Sequence, residues 1–280
     1  DQEGALSLNS FVFAGGSGTA ELSYNKWGTI KLIVTDPDNP AAEVSCPDMQ
    51  FNPKEFGITF SDPPPKRDFF YLNEDITLTI TALDADNAVI PNYQGSVSFT
   101  PAEGLVLPEQ PYEFTSEDQG KHVFSLFSNK EGQFTVKVND TSHTSVIGIS
   151  TPIASRYAKI VVESQNALVG EPADIFVRLV DSKGDLVLSD ESTTFIVSLT
   201  ESISNESAST KAVTIPVSIK AGLGTFKLTD NQVETVTVSV ESTPELPFET
   251  GIITFTEDAR RMGEGGVRII YWKEAKDEKR

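Results

Sequence analysis

The sequence predicts an all-β protein built from three antiparallel β-sandwich modules in tandem, the first of them incomplete, followed by a C-terminal strand. Three observations lead there. Apolar and polar residues alternate over short runs, the period of a strand with one face buried, and nothing has helical periodicity. The runs recur at roughly 8–12-residue spacing with turn signals between them, which describes sandwiches of about 100 residues each. Part of the pattern is also repeated along the chain, the mark of a tandem array.

The stretch from Leu72 to Asp140 carries the pattern most fully. Ile76, Leu78, Ile80 and Ala82 alternate with Thr77, Thr79 and Thr81. A turn-rich loop follows at Asp84 to Asn87, then strands at Val97/Phe99, Phe124/Leu126 and Phe134/Val136/Val138. This module spans residues 52–150. Its first strand is Phe56-Gly-Ile-Thr-Phe60, and the run Ser61 to Lys66, SDPPPK, follows as a stiff break that cannot donate to a ladder. The break lets the edge strand cross between sheets or lies as an extended loop.

The run Asp84 to Thr100, with Tyr112-Glu-Phe-Thr115 and Gly120-Lys-His-Val-Phe124, resembles bacterial immunoglobulin-like repeats. Such repeats occur in tandem in surface proteins of the invasin and intimin type, and filamin repeats are similar. The resemblance is sharp over one module and looser over the other two. It implies immunoglobulin-like sandwiches at the bacterial cell surface or outside the cell. It carries no catalytic residues, because these repeats are spacers, adhesive modules or polymer subunits.

Residues 1–51 repeat the second half of the 52–150 module. Asn25-Lys-Trp-Gly28 matches Asn129-Lys-Glu-Gly132, and Asp36 and Asp140 each lie eight residues beyond the glycine. Ile30, Leu32 and Val34 correspond to Phe134, Val136 and Val138. Counterparts of the strands at Ile76–Leu83 and Val97–Phe99 are missing. Residues 151–255 form a third module opening on Tyr157-Ala-Lys-Ile-Val-Val162, with alternating strands through Val236, Val238 and Val240. Residues 256–280 are a linker and Val267-Arg-Ile-Ile-Tyr-Trp272, which stands where a fourth module would place its first strand. A lone strand with apolar side chains on both faces needs a partner.

Composition bounds the function. Twenty-two basic against 41 acidic residues give a net charge of −19. That opposes binding to nucleic acid, which needs a basic stripe, and docking on anionic lipid. No apolar stretch approaches the ~18 residues of a membrane span. The single cysteine, Cys46, excludes an internal disulfide framework and reads as a small buried hydrophobe near a strand end. The two histidines, His122 and His143, sit in no serine or cysteine context that supplies nucleophile and base together, so no enzyme is expected.

Two acidic loops, Asp36-Pro-Asp-Asn39 and Asp84-Ala-Asp-Asn87, concentrate oxygen ligands as hard cations prefer. In a sandwich the loop after the second strand and the one before the last share an end. That makes Asp84, Asp86, Asn87 and Asp140 a candidate Ca²⁺ site that would stiffen the joint to the first module. The same residue types are also ordinary turn formers that bond their own backbone. Trp27, Trp272, Phe69, Phe70 and Tyr71 are the candidate exposed aromatics for a host or matrix glycan, or for packing at module junctions.

Taken together, the sequence leads to a structural subunit or segment of an extracellular filament or surface adhesin. Its expected partners are other copies of itself, head to tail, or adjoining modules. Val267, Ile269, Ile270, Tyr271 and Trp272 of one copy would complete the first module of the next by strand addition. The alternative is a Ca²⁺-stiffened adhesin stalk, or an array of carbohydrate-binding modules, cut from a larger secreted protein.

Overall fold

In the computed structural model, residues 5–64, 67–100, 102–109, 111–202 and 215–257 are described. Every regular element among them is a β-strand. Contacts divide the chain into two compact units, residues 1–63 with 68–157, and residues 158–280 with 64–67.

The first unit opens with a long hairpin, β1 (Leu6–Ala14) and β2 (Ser17–Tyr24). Gly15 and Gly16, with φ of 61° and 79°, form its turn, because a two-residue hairpin needs left-handed backbone at both central positions. Next come β3 (Gly28–Ile30), β4 (Ile33–Asp36), β5 (Asn39–Ser45) and β6 (Met49–Phe51). β3 pairs with β6 and β4 with β5, both antiparallel.

The same unit then builds a complete sandwich. Its strands are β7 (Glu55–Phe60), β8 (Phe70–Tyr71), β9 (Ile76–Leu83), β10 (Ser96–Thr100), β11 (Leu105–Val106) and β12 (Tyr112–Glu113), then β13 (Lys121–Ser128), β14 (Gly132–Phe134), β15 (Lys137–Asp140), β16 (Ile147–Ile149) and β17 (Ile153–Arg156). One sheet runs β11-β13-β9-β7 and the other β12-β10-β15-β16, continued by a ladder β14-β17-β8. The proline run explains the split first strand. The chain pairs with β9 up to Phe60 and next joins a ladder at Phe70, on the opposite sheet and parallel to β17. Ile76, Leu78, Ile80 and Ala82 are fully buried between the sheets with Val97, Val136 and Val138.

The second unit is a sandwich of the same kind, with its fourth strand beside the third instead of the fifth: β18 (Lys159–Val162), β19 (Gln165–Leu168), β20 (Ala173–Val180), β21 (Thr194–Ser202), β22 (Ile215–Ser218), β23 (Leu223–Leu228), β24 (Thr235–Thr243), β25 (Phe248–Glu249) and β26 (Gly251–Thr256). The sheets run β23-β20-β18-β25 and β19-β26-β24-β21-β22. Again the first strand is shared between sheets, β18 with β20 and β19 parallel to β26. Both sandwiches therefore have the immunoglobulin-like arrangement, with first, second and fifth strands on one sheet and third, sixth and seventh on the other.

A two-residue turn of positive φ introduces the fifth strand in each, at Gln119–Gly120 (50°, 74°) and Ala221–Gly222 (51°, 76°). Only the second residue of each is glycine, and in both the glycine carbonyl accepts from the second strand, Gly120 from Ala82 and Gly222 from Leu179.

Candidate functional site

Laid over one another by register, the first six strands are the closing half of a sandwich. Gly28 faces Phe51 as Gly132 faces Ser155, and Ile30 faces Met49 as Phe134 faces Ile153. Leu6 faces Tyr24 as Leu105 faces Ser128. The Gly15–Gly16 turn stands where Gln119–Gly120 stands, so β1 and β2 are the fourth and fifth strands, and β3 to β6 the sixth and seventh. The repeat read from the sequence is thus a repeat of pairing.

What differs is cover. Val138 is fully buried, whereas its counterpart Val34 is 54% exposed. Ile33, Val44, Leu6, Leu8 and Val12 are exposed as well. A Cβ on Gly120 would lie 2.1 Å from the Ile90 carbonyl oxygen, and one on Gly222 3.1 Å from the Val187 amide, but Gly16 has nothing within 4 Å. The turn is kept, and the segment it packs on in the complete sandwiches is missing among the described residues. Among them, too, β2 pairs with β1 alone and β5 with β4 alone. Val34, Val44, Leu6 and Leu8 thus stand uncovered on the side equivalent to the buried core of the second module, beside strand edges with no partner among the described residues.

This open module is seated on the sandwich that follows it. The Trp27 amide donates to Asn92 Oδ1 at 3.2 Å, and the Asn92 side-chain amide donates back to the Trp27 carbonyl at 2.7 Å. The indole meets Tyr93 edge to face with centroids 5.7 Å apart. Tyr93, fully buried, also meets Phe56 and Phe114, and its hydroxyl donates to Asp140 Oδ2 at 2.7 Å. Burial first, and then the Asp140 carboxylate, push the Tyr93 hydroxyl pKa far up. Sequence reading missed Asn92 and Tyr93; the aromatic inside an otherwise polar loop, Pro91-Asn-Tyr-Gln94, was the available signal.

The residues considered as a cation site belong to separate turn networks. Asp84 Oδ1 accepts from the amides of Asp86 and Ala88 at 2.9 and 2.8 Å, with Asn87 at a φ of 63°. Asp140 Oδ1 accepts from the amides of Ser142 and His143, both at 2.8 Å, beside the Tyr93 bond on its other oxygen. Asp36 and Asp181 bond amides two residues on in the same way. Among the described residues no three His, Cys, Asp or Glu side chains are grouped to hold a metal ion. The predicted joining strand, with Val267, Ile269, Ile270, Tyr271 and Trp272, lies outside the described residues, as does Trp272 as a glycan contact.

Two expectations need correction. Phe69, Phe70 and Tyr71 are not exposed. All three are buried; Phe70 enters the core between the sheets because the chain crosses to the opposite sheet there, and the Arg156 guanidinium covers the Phe69 ring at 4.5 Å. They therefore offer no platform for a glycan. Trp27 is half-buried and packs against Tyr93, at the junction with the second module. Cys46 follows β5 with its amide bonded to the Leu32 carbonyl, but it is half-buried, since the open module gives it incomplete cover.

A polar cluster on the complete sandwich also went unread. Asp118 Oδ1 lies 2.5 Å from His122 Nδ1, and Tyr112 donates its hydroxyl to the same carboxylate at 3.0 and 3.1 Å. The Thr115 amide and hydroxyl donate to Asp118 Oδ2 at 2.6 and 3.0 Å. Burial alone would raise the Asp118 pKa, but bonds from Thr115, His122 and Tyr112 outweigh it and hold the carboxyl below its ordinary value. The Tyr112 hydroxyl is pushed up to about 12, by burial first and then by Asp118. Together these bonds clasp the turn before β13.

No family model matches the sequence, and neither does any curated protein. Solved structures do. FdeC, an Escherichia coli adhesin, is 14% identical over 91% of this chain and 85% of its own, with a TM-score of 0.44. A C-terminal 282-residue fragment of intimin, solved with the intimin-binding domain of the translocated intimin receptor, is 14% identical over 72% of this chain and 64% of its own, with a TM-score of 0.34. Invasin, a bacterial integrin-binding protein, is 13% identical over 72% of this chain and 39% of its own, with a TM-score of 0.28.

Proposed function

We propose that the chain is a segment of a bacterial surface adhesin or extracellular filament. It spans distance with immunoglobulin-like modules bounded near residues 51, 150 and 255, and it joins copies of itself head to tail. Strand Val267–Trp272 of one copy enters the open first module of the next, supplying main-chain hydrogen bonds to a free edge and side chains to an uncovered face. The observation that carries this reading is the contrast between Val34, 54% exposed, and its buried counterpart Val138. A module that repeats the pairing of a sandwich but not its cover is half of a fold.

The strand offered fits the need in kind. Val267-Arg-Ile-Ile-Tyr271 follows the third module as Ala158-Lys-Ile-Val-Val162 follows the second, and Ile160 and Val162 there are buried. Such contact does not close on itself, so it propagates into a fibre. The test is negative-stain microscopy and sedimentation of the purified chain beside a version ending at residue 265. Filaments from the full chain and monomers from the shortened one are expected. A full chain that sediments as a monomer at every concentration defeats the reading.

A further inference from the structure

The open module has more than one free edge, and the pairings of the complete sandwiches distinguish them. In both the fifth strand has the second beside it, β13 with β9 and β23 with β20, and in the second module β13 also has the fourth, β11, on its other side. In the first module β2 has β1 on one side and, among the described residues, nothing on the other. From this vacancy we infer, on the footing of the head-to-tail reading above, that Val267–Trp272 of a second copy seats antiparallel on β2 over residues 17–22, in the place of a second strand.

Length favours this edge. β13 pairs with β9 from Lys121↔Thr81 to Leu126↔Ile76, six residues, and the counterparts on β2 are residues 17–22. Val267–Trp272 is also six residues long. The competing edges are shorter: β4 is four residues long, and its counterpart β15 takes β10 over four positions, while β6 is three residues long, and its counterpart β17 takes only Phe70 and Tyr71 on that side.

Side-chain volume and charge agree. Antiparallel seating sets Val267 against Leu22, Ile269 against Ala20 and Tyr271 against Gly18, all on the face equivalent to the buried Phe124 and Leu126. Where the complete sandwich has Phe124 opposite Leu78, the open one has Ala20, so a large incoming side chain finds room. On the other face Arg268 falls opposite Glu21, an opposite-charge cross-strand pair. The Gly16 carbonyl, whose counterparts Gly120 and Gly222 each accept from a second strand, lies at the end of the same edge.

The experiment is disulfide trapping in the full chain carrying Cys46→Ser. One variant adds Glu21→Cys and Arg268→Cys, and a second pairs Gln50→Cys on β6 with Arg268→Cys. Sedimentation before oxidation reads self-association separately. The inference expects a ladder of linked copies from the Glu21 pair, at least tenfold over the Gln50 pair. A ladder from the Gln50 pair instead, or associated chains that neither pair links, overturns the seat and leaves head-to-tail association standing. A linked monomer from the Glu21 pair shows that the strand seats on its own chain and overturns the inference. Absence of association before oxidation defeats the head-to-tail reading itself, and the inference with it.

Discussion

The Tyr93 hydroxyl donates to Asp140 Oδ2 at 2.7 Å inside the second module, with the Trp27 indole packed against the same tyrosine ring. One buried side chain thereby ties a carboxylate in the core to the joint with the first module. Replacing Tyr93 by Phe leaves that carboxylate oxygen without its donor. A loss of about 1.5–3 kcal/mol is expected, read as a lower urea midpoint with an unchanged slope. Asp140→Ala, which also strips the amides of Ser142 and His143 of their acceptor, should cost more.

Asn92→Ala removes both bonds to the Trp27 backbone. The second module should keep its stability, while amide exchange of the first module at Trp27 and Gly28 rises at least tenfold. Equal acceleration throughout the chain would mean that Asn92 supports the sandwich and not the joint.

Gly120→Ala and Gly16→Ala make the same change at matched turns with unlike surroundings. Both positions have left-handed backbone, which costs roughly 1–2 kcal/mol with a side chain. Only at Gly120 would the new Cβ also meet the Ile90 carbonyl, 2.1 Å away. Gly120→Ala is therefore expected to lower the melting temperature much further than Gly16→Ala, and equal shifts would show that the two turns share a packing environment.

The Asp118 carboxyl is held below its ordinary pKa when folded, so its contribution is present above the unfolded value near 3.9 and is lost as pH falls through the folded one. Asp118→Asn should thus be less stable than the parent at pH 7, and the gap should close below about pH 4. A gap that is constant with pH would mean that the amide loses shape complementarity and not charge.

Much of this fold is written plainly in the sequence. The alternation of Ile76, Leu78, Ile80 and Ala82 gives the central strand with its buried face, and Asn25–Gly28 against Asn129–Gly132 gives the repeat that the pairing reproduces. The turns were harder to see, because Gln119 and Ala221 take positive φ without being glycine, and only the tertiary pairing around them dictates it. The burial of Phe69 to Tyr71 was illegible for a related reason. Aromatics after a polar proline run look exposed, and Phe70 is seen to enter the core only once β8 is known to have joined the opposite sheet. The joint was legible by location, at the end carrying the Asp84 loop, but its chemistry rests on Asn92 and Tyr93, whose partners lie 65 and 47 residues away in sequence.

The split first strand has a mechanical consequence. In each complete sandwich a segment near the module's beginning runs parallel to one near its end, β8 with β17 and β19 with β26. Tension applied through the two ends drags these neighbours past each other in opposite directions, so their hydrogen bonds are loaded in shear and rupture together instead of unzipping one by one. With four paired positions against two, the third module resists such a pull through this clamp more strongly than the second.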